Sequence, residues 1–420
     1  MDHVSPQYRR RFCIKTEGSF VEQVARLRVL VTIFFALDGF LLANWVVCVP
    51  QVKVRVNASA GSLGLALLGI SAGAVVTMIL TGRLCSRFGD RRIVVISSTL
   101  MSLAIMLPGL ATSVSALATF LFIFGVGFGG LNVSMNSAAV DIVGELGRPI
   151  MPRFHAAYSF GGLVGALIGG VIASVLGPAW HLAMIGLLGL LVTACAGSML
   201  LGSVPTPATT GPAITRTGVP EDTARRNTPG TSPSSRLPLL VAVFGAIALC
   251  STYGEGAMAD WGALHLHIDL HTSVELAALG YASFSGAMVI GRLSGPWLLD
   301  RAGRTFVLVM GSLTAATGMM VAALTPVLAL VIVGFVLVGL GLANLFPVAI
   351  GQAGALRGPP GVAAVSTIGY SGFLAGPPII GFLAERTGLP IALTTVSLLA
   401  VFAAFIAEFA RRAETNWIAK

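Results

Sequence analysis

The chain has 420 residues, of which 26 are Lys or Arg and 17 are Asp or Glu, so only 10% are charged and the formal net charge is +9. An average soluble domain carries about 25% charged residues. With 55% apolar residues and a mean hydropathy of +0.88, the composition excludes a disordered chain, a coiled coil, a collagen-like repeat and a water-soluble enzyme, and leaves a protein whose main solvent is lipid.

A hydrocarbon core about 30 Å thick takes about 20 apolar residues as a helix. In chain order such windows fall at 29–51, 63–82, 93–111, 116–138, 157–177, 181–203, 238–262, 276–299, 305–325, 327–350, 362–384 and 389–410. Long continuous apolar runs speak for helices, since a barrel shows short alternating segments. The expected fold is an all-α membrane protein with twelve transmembrane helices in two pseudo-symmetric six-helix bundles. The expected order is a tail at 1–28, a first bundle at 29–203, a linker at 204–237, a second bundle at 238–410 and a tail at 411–420. The linker is rich in Pro, Thr, Ser and Gly. No cleavable signal peptide is expected, because the first apolar stretch begins near Val29 and outruns the short core of such a leader. The five cysteines (Cys13, Cys48, Cys85, Cys195 and Cys250) lack metal-ligand spacing and read as free thiols.

If both termini face the cytoplasm, 23 of the 26 cations fall on that side and only Lys53, Arg55 and Arg386 on the other. This bias fixes the expected orientation, and it explains the basic charge by topology without a nucleic-acid partner.

The halves repeat. Gly127, Gly129 and Asn132 in the fourth window match Gly339, Gly341 and Asn344 in the tenth. Gly161, Gly165, Gly170 and Gly177 match Gly372, Gly376, Gly381 and Gly388. Asp38-Gly39 and Asn44-Trp45 echo Glu255-Gly256 and Asp260-Trp261. Duplicated six-helix halves around a midplane site describe an alternating-access carrier.

These residues resemble the major facilitator superfamily of secondary transporters, along the whole chain. The most specific element is the loop signature G-x-L-x-D-R-x-G-R-R. Its first copy reads Gly82, Arg83, Leu84, then Ser86 in the usual Asp position, Arg87, Gly89, Asp90, Arg91 and Arg92. A stretched second copy reads Gly291, Arg292, Leu293, then Asp300, Arg301, Gly303 and Arg304. The resemblance implies that both copies form a cytoplasmic gate, with Asp90 standing in for the missing acid. The stretches LGRPIMPRFH (146–155), EGAMADW (255–261) and AVSTIGY (364–370) are similar to a bacterial fucose-permease-like branch. Members of that branch that are proton-coupled sugar permeases carry one acid where this chain has Val46 and another where it has Asn132, so neither fucose specificity nor that coupling site carries over.

An ionisable group at membrane depth costs about 2.5–3.5 kcal/mol on insertion scales and calls for a reason. Glu255 and Asp38 lie well inside the seventh and first windows. A carboxyl group taken out of water exchanges its proton nearer neutral pH, as proton coupling requires. Glu255 is the first candidate for the coupling acid and Asp38 the second; Asp260 sits nearer the outer end. Asn132 and Asn136, four apart and so on one helix face, together with Asn344, Trp261 and Tyr370, are candidates for the substrate cavity. Their alternative role is interhelical hydrogen bonding, and for Trp261 and Trp45 an interfacial aromatic belt. His155 reads as a loop anchor or a pH-sensitive gate. His265, His267 and His271 read as a wet outer loop rather than a metal site.

The leading expectation is a secondary carrier that moves a small polar solute, a sugar or sugar-like molecule, across the bacterial cytoplasmic membrane with protons, as a monomer, with solute, proton and lipid as partners and no cofactor. The alternative is a proton-driven exporter of drugs or metabolites. Its fifth-helix signature appears here without the Pro, at Ala166, and its fourth-helix Arg is Leu121. A receptor would need a soluble signalling domain for which tails and linker are short. No Walker, HExxH or GxSxG motif is present, so nothing in the sequence suggests an enzyme.

Overall fold

In lipid a chain can satisfy its backbone N–H and C=O groups only within a helix or a closed barrel. The computed structural model describes the backbone of residues 6–146, 150–202 and 237–418. The segment 204–236 of the expected linker, and Arg148, lie outside the described residues, as do the side chains of the first 21 residues and of Arg357.

The elements are α1 (Pro6–Arg55), α2 (Ala60–Phe88), α3 (Asp90–Ala104), α4 (Val114–Leu146), α5 (Met151–Leu201), α6 (Leu237–Ala257), a π turn at Met258–Gly262, α7 (Ala263–Ile268), α8 (Val274–Leu324), α9 (Leu328–Leu342), α10 (Leu345–Thr387) and α11 (Leu389–Ile418). Among the described residues ten helical segments are long and apolar enough to cross a membrane. Two of them, α5 and α8, have 51 residues each. At 1.5 Å per residue that is about 77 Å, more than twice the hydrocarbon core, and a non-helical glycine breaks each midway, so each crosses twice. The total is the twelve crossings read from the sequence.

Each double crossing turns at one glycine, Gly177 (φ 71, ψ 168) in α5 and Gly303 (φ 77, ψ 162) in α8. The same backbone recurs at Gly89 (φ 84, ψ 142) between α2 and α3, and at Gly388 (φ 87, ψ 154) between α10 and α11. One such residue therefore stands between the second and third, fifth and sixth, eighth and ninth, and eleventh and twelfth crossings. That region of φ/ψ space is essentially reserved for glycine. The repeat seen in the sequence thus has a backbone cause, a hinge used four times. Gly303→Ala is expected to cost about 1–3 kcal/mol, read as a lower melting temperature of the purified chain. Gly82→Ala, in a helix and facing open space, is the control expected to leave it unchanged or slightly raised, since alanine favours a helix over glycine.

Within each half, small residues let helices touch backbone to backbone. A Cβ on Gly161 would collide with the Ala36 carbonyl, joining the first and fifth crossings. Its repeat partner Gly372 meets Leu249 and Thr252 in the same way, joining the seventh and eleventh. Gly125 and Gly129 pack α4 on Ile70 and Ala74 of α2, and Gly127 packs it on Met101 of α3. Many large apolar side chains remain exposed, Val175 at 77% and Phe405 at 68% among them. Such a surface is the one a bilayer covers.

The halves meet along two seams. The fifth crossing packs on the eighth, where Gly170 faces Ala278 and Gly162 faces Ser285. The second packs on the eleventh, where Gly64 faces Pro377 and Gly381. Both seams are tight at the end that the charge pattern makes outer. At the Arg-rich end, Gly82, Gly89, Gly303 and Gly351 have nothing within 4 Å of an added Cβ. The two halves are therefore in close contact at the outer end of both seams.

Candidate functional site between the two halves

A buried polar group with partners in both halves is Arg292. The sequence placed Gly291, Arg292 and Leu293 in a cytoplasmic loop. In the structure α8 runs unbroken through them to Gly303, and Arg292 is buried at 8% exposure. Its Nη2 lies 3.2 Å from Oε2 of Glu255 in the seventh crossing. Its Nη1 donates to Ser159 Oγ at 2.6 Å and to the His155 carbonyl at 3.4 Å, both in the fifth crossing. One guanidinium thus joins the two halves. Ser251 Oγ donates to the other Glu255 oxygen at 3.4 Å. A planar donor set suits this task better than a lysine would.

Asp38 is fully buried and neither of its carboxyl oxygens has a hydrogen-bond partner. It lies within electrostatic reach of Tyr158 and Tyr370, which also sense Glu255. An ionised carboxylate buried without a donor is strongly disfavoured. The two candidate acids therefore differ: Glu255 is paired and Asp38 is not.

The remaining candidates divide. Tyr370 donates its hydroxyl to Asn132 Oδ1 at 3.0 Å, across the halves, and its ring packs near Phe346 and Phe373. Asn136 turns back to the Asn132 carbonyl at 2.7 Å. Asn344 sits at the junction of α9 and α10 and donates to the Gly291 carbonyl at 2.9 Å, bracing the backbone beside Arg292. Trp261 is fully buried in the π turn, with its ring against Gly381 at the outer seam. A π turn commonly marks a functional site. Trp45, also a belt candidate, is 1% exposed and so away from the lipid interface.

At the Arg-rich end, Asp90 accepts from Ser137 Oγ of α4 at 2.9 Å. Arg83 and Arg87 are exposed, with Arg87 stacked over Phe88. Arg301 lies over Trp297, and Arg304 donates to Gln352. Arg91 and Asp300 lie beside the hinges at Gly89 and Gly303.

Three clusters were not foreseen. Glu385, at the outer end of the eleventh crossing, accepts from Ser59 Oγ and from the Gly61 backbone N–H, so it seats on the N-terminus of α2 in the other half. The repeat-related site reverses the arrangement. There the acid is Glu275 in the first turn of α8, facing Ser174 of the fifth crossing. Ser59 and Ser273 cap equivalent helices, and Gly61 corresponds to Glu275 as Glu385 does to Ser174. A carboxylate on a helix N-terminus is favourable, and each seam has one. Ser-x-Gly and Ser-x-Glu at the two helix starts were the available signal. Second, His181 donates to Asn44 Oδ1 at 2.7 Å, with the Cys48 thiol 3.6 Å from its other nitrogen. A lone histidine inside an apolar window was the cue for it. Third, His265 is not in a wet loop. It is 1% exposed, with Nδ1 2.7 Å from Asp269 Oδ2 and Nε2 3.0 Å from the Ala322 carbonyl. Its neighbour His267 lies 2.7 Å from the Thr272 carbonyl.

A doubled helical bundle this apolar, closed at one end over a buried ion pair, is the framework of a membrane transporter. The chain belongs to the Major Facilitator Superfamily, which matches residues 29–359. An uncharacterised MFS-type transporter of Yersinia pestis is 34% identical over 373 residues, 87% of this chain and 91% of that protein. The membrane protein MosC of Rhizobium meliloti is 31% identical over 380 residues, 89% of this chain and 88% of that protein. A solved bacterial homologue of the human lysosomal transporter Spinster, inward-facing and unoccupied, superposes with a TM-score of 0.70 at 15% identity, over 93% of this chain and 97% of that one. At such identity the likeness establishes the fold.

Proposed function

We propose that this protein is a proton-coupled secondary carrier of a small polar solute, sugar or sugar-like, in the bacterial cytoplasmic membrane, with both termini cytoplasmic. The observation that carries this reading is the buried Glu255–Arg292 pair and its hydrogen bonds to Ser159 and His155 on the opposite half. With Glu255 ionised, Arg292 is held between the halves. A proton on Glu255 removes the charge partner and leaves the guanidinium free to turn, so proton loading and the meeting of the halves depend on one another. Asp38 is the second acid. Asn132 and Tyr370, an amide and a phenol linked across the halves, make a hydrogen bond that the hydroxyls of a polyhydroxylated solute can replace. The Glu385 and Glu275 contacts form the outer gate, and the two glycine hinges at Gly89 and Gly303, with Arg83, Arg87, Arg301 and Arg304, belong to the inner one.

A thermal-shift screen of the purified chain against sugars, organic acids and organic cations identifies the solute, because a ligand stabilises the state it binds. In proteoliposomes, Glu255→Gln is expected to abolish accumulation driven by a pH gradient while retaining counterflow of the same solute. Gradient-driven accumulation that survives in Glu255→Gln but is lost in Asp38→Asn would reverse the order of the two acids.

A further inference from the structure

A groove of about 540 Å³ lies on the membrane-facing side of the bundle, between the first crossing and the sixth, away from the interface of the halves. Its walls include Val29, Ile33, Leu191, Cys195 and Met199, and its one charged lining residue is Arg26. Val29 and Leu191 are more than half exposed. Arg26 and the nearby Arg28 are exposed at the start of the crossing, on the side the charge pattern makes cytoplasmic. The lining is apolar throughout, with Arg26 contributing only its stem, and the exposed guanidinium stands outside the trough at the depth of the headgroups. Basic residues at the cytoplasmic surface attract anionic headgroups, and an arginine holds a phosphate through two parallel donors.

We propose that this groove is a binding site for an anionic glycerophospholipid of the inner leaflet, with an acyl chain in the trough between the first and sixth crossings and the phosphate on Arg26. A zwitterionic lipid fits the same trough but offers the guanidinium no net charge. The first and sixth crossings belong to one half, so an occupant here braces that half as a body and leaves the seams untouched.

The test uses the full purified chain in detergent after delipidation, with phosphatidylglycerol, phosphatidylcholine and glycerol phosphate as probes and native mass spectrometry as the readout. Phosphatidylglycerol is expected to be retained about fivefold better than phosphatidylcholine, the effect of one basic residue at the membrane surface. Arg26→Gln removes that preference and Arg28→Gln leaves most of it. Cys195→Trp, which fills the trough from an exposed position, lowers retention of both lipids. As an independent readout in a Cys13→Ser background, phosphatidylglycerol slows maleimide alkylation of Cys195, the exposed thiol among the described cysteines. Equal retention of the two lipids, or a preference unchanged by Arg26→Gln, overturns the proposal. Equal protection of Cys195 by glycerol phosphate overturns it too, in favour of a soluble phosphate site.

Discussion

Replacing Arg292 with glutamine is expected to abolish gradient-driven transport and to lower the stability of the purified chain. Arg292 donates to Glu255, Ser159 and the His155 carbonyl from a site with 8% exposure. Removing one partner of a buried ion pair leaves the other charge uncompensated and costs about 3–5 kcal/mol. A carboxylate can escape much of that cost by taking up a proton, so the variant behaves as a carrier whose Glu255 is permanently loaded. The double variant Arg292→Gln with Glu255→Gln has no unpaired charge and is expected to recover most of the lost thermal stability while remaining uncoupled. Circular dichroism melts of the three variants, with uptake measured in proteoliposomes, separate the two effects. A single variant as stable as the parent would show that the pair contributes nothing net.

Replacing Gly64 with valine is expected to hold the outer end open. In the closed seam a Cβ at Gly64 would lie 2.5 Å from the Pro377 carbonyl oxygen and 3.2 Å from Gly381 Cα. Backbone cannot retreat as a flexible side chain does. Overpacking of this kind costs about 1–3 kcal/mol, and here it falls on the outer-closed state alone, which shifts the ratio of states about 5–150-fold. The chain should still fold, because a state with parted outer ends does not need that contact. Solute exchange across the membrane is expected to fall by a similar factor, while a cysteine in place of Ser71, whose hydroxyl now donates to the Phe373 carbonyl across the seam, becomes accessible to impermeant maleimide from outside. Phe405→Val, at a side chain 68% exposed on the last crossing and outside both seams, is the control that should change neither.

The crossings and their repeat were legible because lipid leaves so few options. Continuous apolar runs had to be helices, and the spacing of Gly89 to Gly303 and of Gly177 to Gly388 already carried the hinges. The gate signature misled at Arg292. Gly291, Arg292 and Leu293 match the start of the motif, yet α8 continues through Gly295 and Pro296 as far as Gly303, and so carries Arg292 into the interior. Its pairing with Glu255 joins residues 37 apart on different crossings, and no local pattern encodes such a meeting. Asn344 was read as a cavity residue inside a span. It does lie inside the apolar segment Leu328–Ala353, at the junction of α9 and α10, where its amide donates to the Gly291 carbonyl. Trp45 satisfied the composition of an interfacial belt and is buried all the same. The Glu385–Ser59 contact spans 326 residues, and a sequence repeat could hint at it only after the swap of acid and serine between the seams was seen.

The account as a whole requires that closing one end of the bundle opens the other. Paired spin labels report this directly by double electron–electron resonance. One pair takes the outer ends of the two halves, at Val54, which is 70% exposed, and at Arg386, exposed at the end of the eleventh crossing. The second takes the inner ends, at Leu84 and Trp297, which are 39% and 58% exposed. Measured across a pH series and with the solute from the thermal-shift screen, the outer distance should lengthen under the same conditions in which the inner distance shortens, and Glu255→Gln should remove the pH dependence. Two distances that lengthen and shorten together, or that never change, would contradict it.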